Sequence, residues 1–216
     1  MAGLLSGALR WCKSLAIAAA LYVAFALLVN MSRPFAVPSA GSKFGILVTG
    51  CASGLGYDLV RAIVDDVPEN KNIVVFAGVR KAEDLKLFDS FKNKDRIVPL
   101  VLDVANPSHV EEAVRKVGAS GVPLYGLINN AGIGMASKRI SKHPGSEYSK
   151  AVSDVLDVNI LGLAHLTGAS MDLLKSAAKS LGSARVVNIG SVMGLVFTPT
   201  CGGKWLPAVV IYYYCN

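Results

Sequence analysis

A chain of 216 residues, 52% hydrophobic and 17% charged, suits one α/β domain of ~100–200 residues and lies far from the composition of a disordered chain. The formal charge of +7 is no sign of nucleic-acid binding, because Lys and Arg are scattered and no aromatic-interleaved basic stripe occurs. The four cysteines, Cys12, Cys51, Cys201 and Cys215, have neither metal-type pairing nor the density of a disulfide scaffold, so no metal site is expected and the redox compartment is not legible.

Arg10 and Lys13 precede an unbroken apolar run from Leu15 to Val29, which Asn30, Met31, Ser32, Arg33 and Pro34 follow. A helix of about 15 residues spans roughly 22 Å, short of a ~30 Å hydrocarbon core, so a membrane span must recruit flanking residues out to position 31. Residues 1–33 are therefore expected to form an apolar helix that serves as a signal anchor of the endoplasmic-reticulum type. A cleaved secretory peptide stays open on its basic flank and apolar centre, although Ala36 to Ala40 offers only a poor cleavage site, and an organelle transit peptide stays open because no acidic residue occurs before Asp58. Residues 34–42 read as a linker.

From Phe44 onward short β-branched runs alternate with helical patterns. The strands are expected at Ile46 to Val48, Ile73 to Phe76, Ile97 to Leu102, Leu124 to Ile128 and Val186 to Ile189. The helices are expected at Leu55 to Asp66, Ala82 to Lys92, Ser108 to Val117 and Ala151 to Ser180, the last long enough to serve a homo- or hetero-oligomer. Continuous apolar strands are buried on both faces, which is the mark of a parallel sheet covered by helices. Right-handed crossovers then leave a doubly wound α/β sheet as the simplest topology for residues 43–197.

The first strand runs into Thr49-Gly50-Cys51-Ala52-Ser53-Gly54-Leu55-Gly56 and then a helix. Glycines there permit a tight turn and close backbone approach to a pyrophosphate, and the helix N-terminus favours the anion. A bare structural turn would explain such glycines only without the strand and helix around them. At the end of the second strand, where an NAD-selective site places a carboxylate, stands Arg80. A guanidinium suits the 2′-phosphate of NADP, so NADP(H) is expected in preference to NAD(H); a solvated arginine at a strand end is the plainer alternative.

With these motifs in order, the sequence resembles the short-chain dehydrogenase/reductase family from about Lys43 to Gly194. Thr49 to Gly56 is similar to the family's glycine turn, and Asp103-Val104 to its adenine-contacting Asp after the third strand. Asn129-Asn130-Ala131-Gly132 is similar to the N-N-A-G segment that supports the sheet and lies along the cofactor. The resemblance implies a Rossmann-like fold, an alcohol or ketone substrate, apolar if the chain is membrane-anchored, and a catalytic set that includes Asn159 and Ser191. Taken singly, Asp103 as a helix cap, Asn130 as a loop filler and Ser191 as a turn serine would all be ordinary.

The resemblance breaks at the family's Tyr-x-x-x-Lys. There the Lys ammonium lowers the phenol pKa from its ordinary ~10 and makes it a usable acid and base. Counting on from Ser191 by the family's usual interval reaches Lys204, and the partner's place falls on Ala208. No Tyr in the chain is followed four positions later by Lys. Residues 198–216 diverge altogether, so the sheet is expected to be incomplete at its C-terminal edge, as in a truncated or alternative product. Ala208 to Tyr214, rich in β-formers, is expected to pair there as a substitute strand. Two functions follow as expectations: an NADP-dependent oxidoreductase whose catalysis is impaired, or a non-catalytic, membrane-tethered nucleotide-binding or interaction module.

Overall fold

The computed structural model describes residues 38–39, 41–66, 72–134 and 145–190, and the backbone of 213–215. The chain divides into Met1–Val37 and Pro38–Asn216. The apolar run from Leu15 to Val29 lies outside the described residues; among those described, no helix is long and apolar enough to cross a membrane.

Five strands pair in parallel: β1 (Phe44–Thr49), β2 (Ile73–Val79), β3 (Ile97–Val101), β4 (Leu124–Asn129) and β5 (Ala184–Asn188), in the spatial order 3-2-1-4-5. Strand order reverses between β1 and β4, so the expected doubly wound sheet is present. Successive side chains on a strand point to opposite faces, and the core divides accordingly. Leu47 and Phe76 join Leu100, Leu127 and Leu174 on one side, whereas Val48 and Val75 join Val60, Val64 and Phe88 on the other. The first side is covered by α2 (Pro107–Ala119) and α4 (Leu163–Leu181), through Val110, Val117, Leu166 and Leu174. The second is covered by α1 (Gly54–Arg61) and the segment Ala82–Ser90. The central strands β1, β2 and β4 thus contribute apolar side chains to both cores, which is why their sequences read as continuous rather than alternating runs.

Three expected helices differ in kind. The first is α-helical only to Arg61 and continues as a π-helical segment, Ala62–Asp66. Ala82–Ser90 is a 3₁₀ helix. Leu85, Phe88 and Phe91 recur every third residue and all pack into the second core, and a repeat of three residues per turn places such side chains on one line. Phe91 meets Phe88 edge-on with ring centroids 5.6 Å apart and Tyr57 of α1 at 5.2 Å. The long helix begins earlier than expected, as α3 (Gly145–Leu156), and passes through a π-helical turn, Asp157–Gly162, before α4. The extra residue in that turn brings Asn159 onto the loop that follows β4.

At the edge, β6 (Tyr213–Cys215) pairs antiparallel with β5, Val186 opposite Tyr213 and Ala184 opposite Cys215. The expected substitute strand is therefore three residues long in this structure, and residues 208–212 lie outside those described.

Candidate cofactor site

The carboxyl ends of β1 and β4 are sewn together by two side chains. Thr49, 1% exposed, accepts hydrogen bonds at its hydroxyl oxygen from the backbone N–H groups of Asn130 (3.0 Å) and Ala131 (2.9 Å). Asn130 returns the link, its Nδ2 donating to the carbonyl oxygens of Thr49 (2.9 Å) and Gly50 (3.3 Å). The glycine turn and the Asn130-Ala131-Gly132 loop thereby become one rigid rim. Gly50 sits at φ +70°, a left-handed conformation that L side chains rarely adopt. Gly56 lies in the first turn of α1 directly beneath this rim; a Cβ there would run into the Gly50 carbonyl and stand 2.5 Å from Asn130 Nδ2.

Ser53, in extended conformation before α1, makes no side-chain cap to the helix. The first-turn N–H groups therefore receive no bond from the Ser53 side chain. By contrast α2 is capped within itself, Asn106 Oδ1 accepting from Ser108 N at 3.0 Å with Pro107 at the first helical position. Asp103 is thus not the cap of α2. One of its oxygens accepts from Ala105 N at 3.1 Å, and its own N–H donates to His109 Nδ1 at 3.4 Å.

These elements enclose a cleft of about 400 Å³, lined from the β1 turn (Gly50, Ala52, Ser53, Leu55), from β2 (Arg80), after β3 (Leu102, Asp103, Val104), after β4 (Asn130 to Ile133) and by Val158. Of the residues expected to bind cofactor, Gly50, Ser53, Leu55, Arg80, Asp103, Val104, Asn130, Ala131 and Gly132 come together in this lining. Thr49 and Gly56 stand behind it as supports, and Gly54, exposed at φ +57°, opens α1 without lining the cleft. The cleft lies outside the carboxyl ends of the strands at the point where strand order reverses, the place at which open α/β sheets take ligands. The bare turn, the uncapped helix start, the exposed Arg80 and the Asp103 carboxylate form a donor and acceptor set that fits a nucleotide with phosphates.

The expected catalytic residues fare differently. Asn159 does not line the cleft: its Oδ1 accepts from Ile133 N at 2.9 Å and its Nδ2 donates to Ile133 O at 3.0 Å, so the amide holds the loop after β4 from both sides. Ser191 lies outside the described residues. Ala52, Leu102, Ile133 and Val158 line the cleft without having been singled out from sequence; each adjoins a motif residue, and that adjacency was the available signal. Cys51, inside the glycine turn, is fully buried, and its thiol donates to Val48 O at 3.2 Å. Burial pushes this thiol up to about 12, against a weaker opposing effect of a backbone bond at Gly78.

A family model for short chain dehydrogenase matches residues 45–202. The mitochondrial D-beta-hydroxybutyrate dehydrogenase of Mus musculus is 33% identical over 171 residues, covering 74% of this chain and 44% of that protein. The 3-amino-tetrahydro-pyrrolizinone reductase of Xenorhabdus hominickii is 35% identical over 163 residues, covering 74% of this chain and 50% of the relative. Among solved structures, an NADPH-bound carbonyl reductase from chicken fatty liver superposes with a TM-score of 0.59 at 28% identity, over 71% of this chain and 61% of that one. The chain spans about half the length of the curated relatives it matches. The matched residues take in the glycine turn, the whole parallel sheet and the rim at Asn130, and on that ground the chain belongs to the short-chain dehydrogenase family of NAD(P)-dependent oxidoreductases.

Proposed function

We propose that this chain binds NADP(H) in preference to NAD(H) in the cleft at the carboxyl ends of β1 to β4, and that the 216-residue polypeptide holds the cofactor without turning over a substrate. The observation that carries the preference is Arg80. It stands exposed at the end of β2 and lines the cleft, where selection of an unphosphorylated ribose calls for a carboxylate. The neighbouring Lys81 is occupied by Glu83 at 3.0 Å, which leaves the guanidinium as the cation directed to a ribose phosphate.

When bound, the dinucleotide supplies hydride exchange with a carbonyl or carbinol carbon. The residues of this chain approach the phosphates closely at Gly50 and Ser53, set the rim through Thr49 and Asn130, and fix the loop after β4 through Asn159. Proton exchange with the substrate oxygen needs a phenol activated by a Lys four residues on, and no such pair occurs from residue 1 to residue 216. The substrate class that accompanies a catalytically complete form is an alcohol or ketone, apolar if residues 15–31 hold the chain in a membrane. Resistance to alkaline carbonate extraction would support that attachment, and full release would reject it. For the cofactor itself, calorimetric titration should give a Kd for NADPH at least about tenfold below that for NADH, a difference of ~1.4 kcal/mol, and Arg80→Ala should erase the gap. Equal affinities in the unaltered chain would refute the preference.

A further inference from the structure

The loop from β3 into α2 is held by hydrogen bonds that nest inside one another. Asp103 accepts at its carboxylate from Ala105 N (3.1 Å) and at its carbonyl from Asn106 N (3.0 Å), and Asn106 in turn caps α2. One bond of the set comes from a titratable ring. His109, the third residue of α2, turns back and accepts at Nδ1 from the Asp103 N–H at 3.4 Å. The side chain that reaches back from this helical position to a backbone N–H is ordinarily Glu or Gln, and a histidine accepts there only as the neutral ring. The bond matters to the site because Asp103 and Val104 line the cleft. The second Asp103 oxygen has no partner among the described residues and is free for a ligand.

A proton on the ring turns Nδ1 from acceptor into donor. The Asp103 N–H then loses its partner, and the imidazolium competes with a ligand for the free carboxylate oxygen. Other charged groups lie around this pair. Arg80 of β2 lines the same cleft, and Glu112, one turn along α2, is engaged by Arg115 at 2.7 Å and Lys116 at 3.4 Å. Where α4 meets α2, the shared core is the apolar Val110, Val117, Leu166 and Leu174. The titratable Asp157 of the π-helical turn and His165, Asp172, Lys175 and Lys179 of α4 make no hydrogen bond or ion pair to His109 among the described residues. His109 is thus the titratable side chain that bonds directly to the backbone of Asp103.

We propose that His109 is a positioning residue for the nucleotide site, its neutral ring fixing the Asp103 backbone, so that cofactor affinity falls when the ring takes up a proton. The proposal rests on the cofactor reading above and adds a regulation to it: the chain holds its dinucleotide more firmly in neutral than in mildly acidic surroundings. At 3.4 Å the bond is long, so its loss is set at about threefold in affinity, the lower part of the range for a hydrogen bond.

The test is calorimetric titration with NADP of the full chain, His109→Asn and His109→Ala, at about pH 7.5 and about pH 5.5, above and below the pH at which histidine ordinarily ionises. Asparagine offers an acceptor in the place of Nδ1 and does not titrate; alanine removes the acceptor. The 2′-phosphate of the ligand also takes up a proton, with a pKa of about 6, so the pH profiles of the proteins are compared with one another. Between the higher and the lower pH the unaltered chain should lose at least about threefold more affinity than His109→Asn. At the higher pH His109→Asn should match the unaltered chain, and His109→Ala should bind about threefold more weakly. Equal pH profiles for the unaltered chain and His109→Asn, or full affinity in His109→Ala, would overturn this inference and leave the cofactor reading standing. If NADP binds the unaltered chain at neither pH, the cofactor reading fails and takes the inference with it.

Discussion

Asn130 spans the two halves of the rim with one amide, giving its Nδ2 protons to Thr49 O and Gly50 O while its own N–H goes to Thr49 Oγ1. Truncation to Ala would leave the Gly50 carbonyl and its neighbour short of a donor and free the turn to relax. Asn130→Ala should cost ~1–3 kcal/mol, read as a lower urea midpoint with an unchanged slope, and weaken NADPH binding in parallel. An unchanged midpoint would show that the rim is held by other means. Cys51 makes a prediction about pH. Its thiol is raised from an ordinary 9.0 to about 12, so the unfolded chain gives up this proton at lower pH than the folded one. The stability it confers is therefore fully present below pH 9 and falls away as pH rises through about 12. In the native protein at pH 8 this thiol should resist alkylation and become reactive only on unfolding, as peptide mass mapping of labelled protein would show. Rapid labelling of Cys51 in the folded protein would contradict its burial.

Between elements, hydrogen bonds from distant residues finish the ends of helices and strands. Arg96 donates from Nε to Ile73 O, from Nη1 to Val64 O and from Nη2 to Ile63 O, taking up carbonyls of the π-helical segment Ala62–Asp66 and at the start of β2. Asn129 ties β4 to β5 and α4, its Nδ2 reaching Asn188 Oδ1 at 2.7 Å and Thr167 Oγ1 at 3.0 Å. One turn along α4, the Ser170 hydroxyl is fully buried and finds no partner among the described residues. Ser170→Ala removes a polar group that gains nothing from burial, so thermal melting should show equal or greater stability, by up to about 1 kcal/mol. A loss of more than that would reveal a partner for the hydroxyl, such as an internal water. What the sequence disclosed at this scale follows from local rules. The central strands were legible because they feed both cores, and the glycine turn because its context is strand and helix. The 3₁₀ segment was less so: Leu85, Phe88 and Phe91 repeat at three, but an apolar repeat at three also serves one face of an α-helix. The π-helical turn Asp157–Gly162 was not legible at all, since it accompanies the pairing of Asn159 with Ile133, 26 residues away in sequence. The same distance effect hid Val158 and Ile133 from the expected cleft lining, and turned Thr49 from an expected cofactor contact into a support.

Across the whole molecule, the sheet order 3-2-1-4-5 gathers the residues of the glycine turn, Arg80, Asp103 and the Asn130 loop at one end, although they span more than eighty positions. That gathering is what the proposed cofactor binding rests on. A ligand that binds the folded state alone adds RT ln(1 + [L]/Kd), about 2.7 kcal/mol at a hundredfold excess over Kd, so NADPH should raise the melting temperature of this unit in a concentration-dependent way. The central claim is that the polypeptide holds NADP(H) without performing the family's reaction. It is tested most directly on one purified sample, by calorimetric NADPH titration followed by absorbance assay against a broad panel of alcohols with NADP and ketones with NADPH. Saturable binding with no cofactor-dependent absorbance change is the predicted result. Turnover of any member of the panel would contradict the account, and so would a failure to bind NADPH at all.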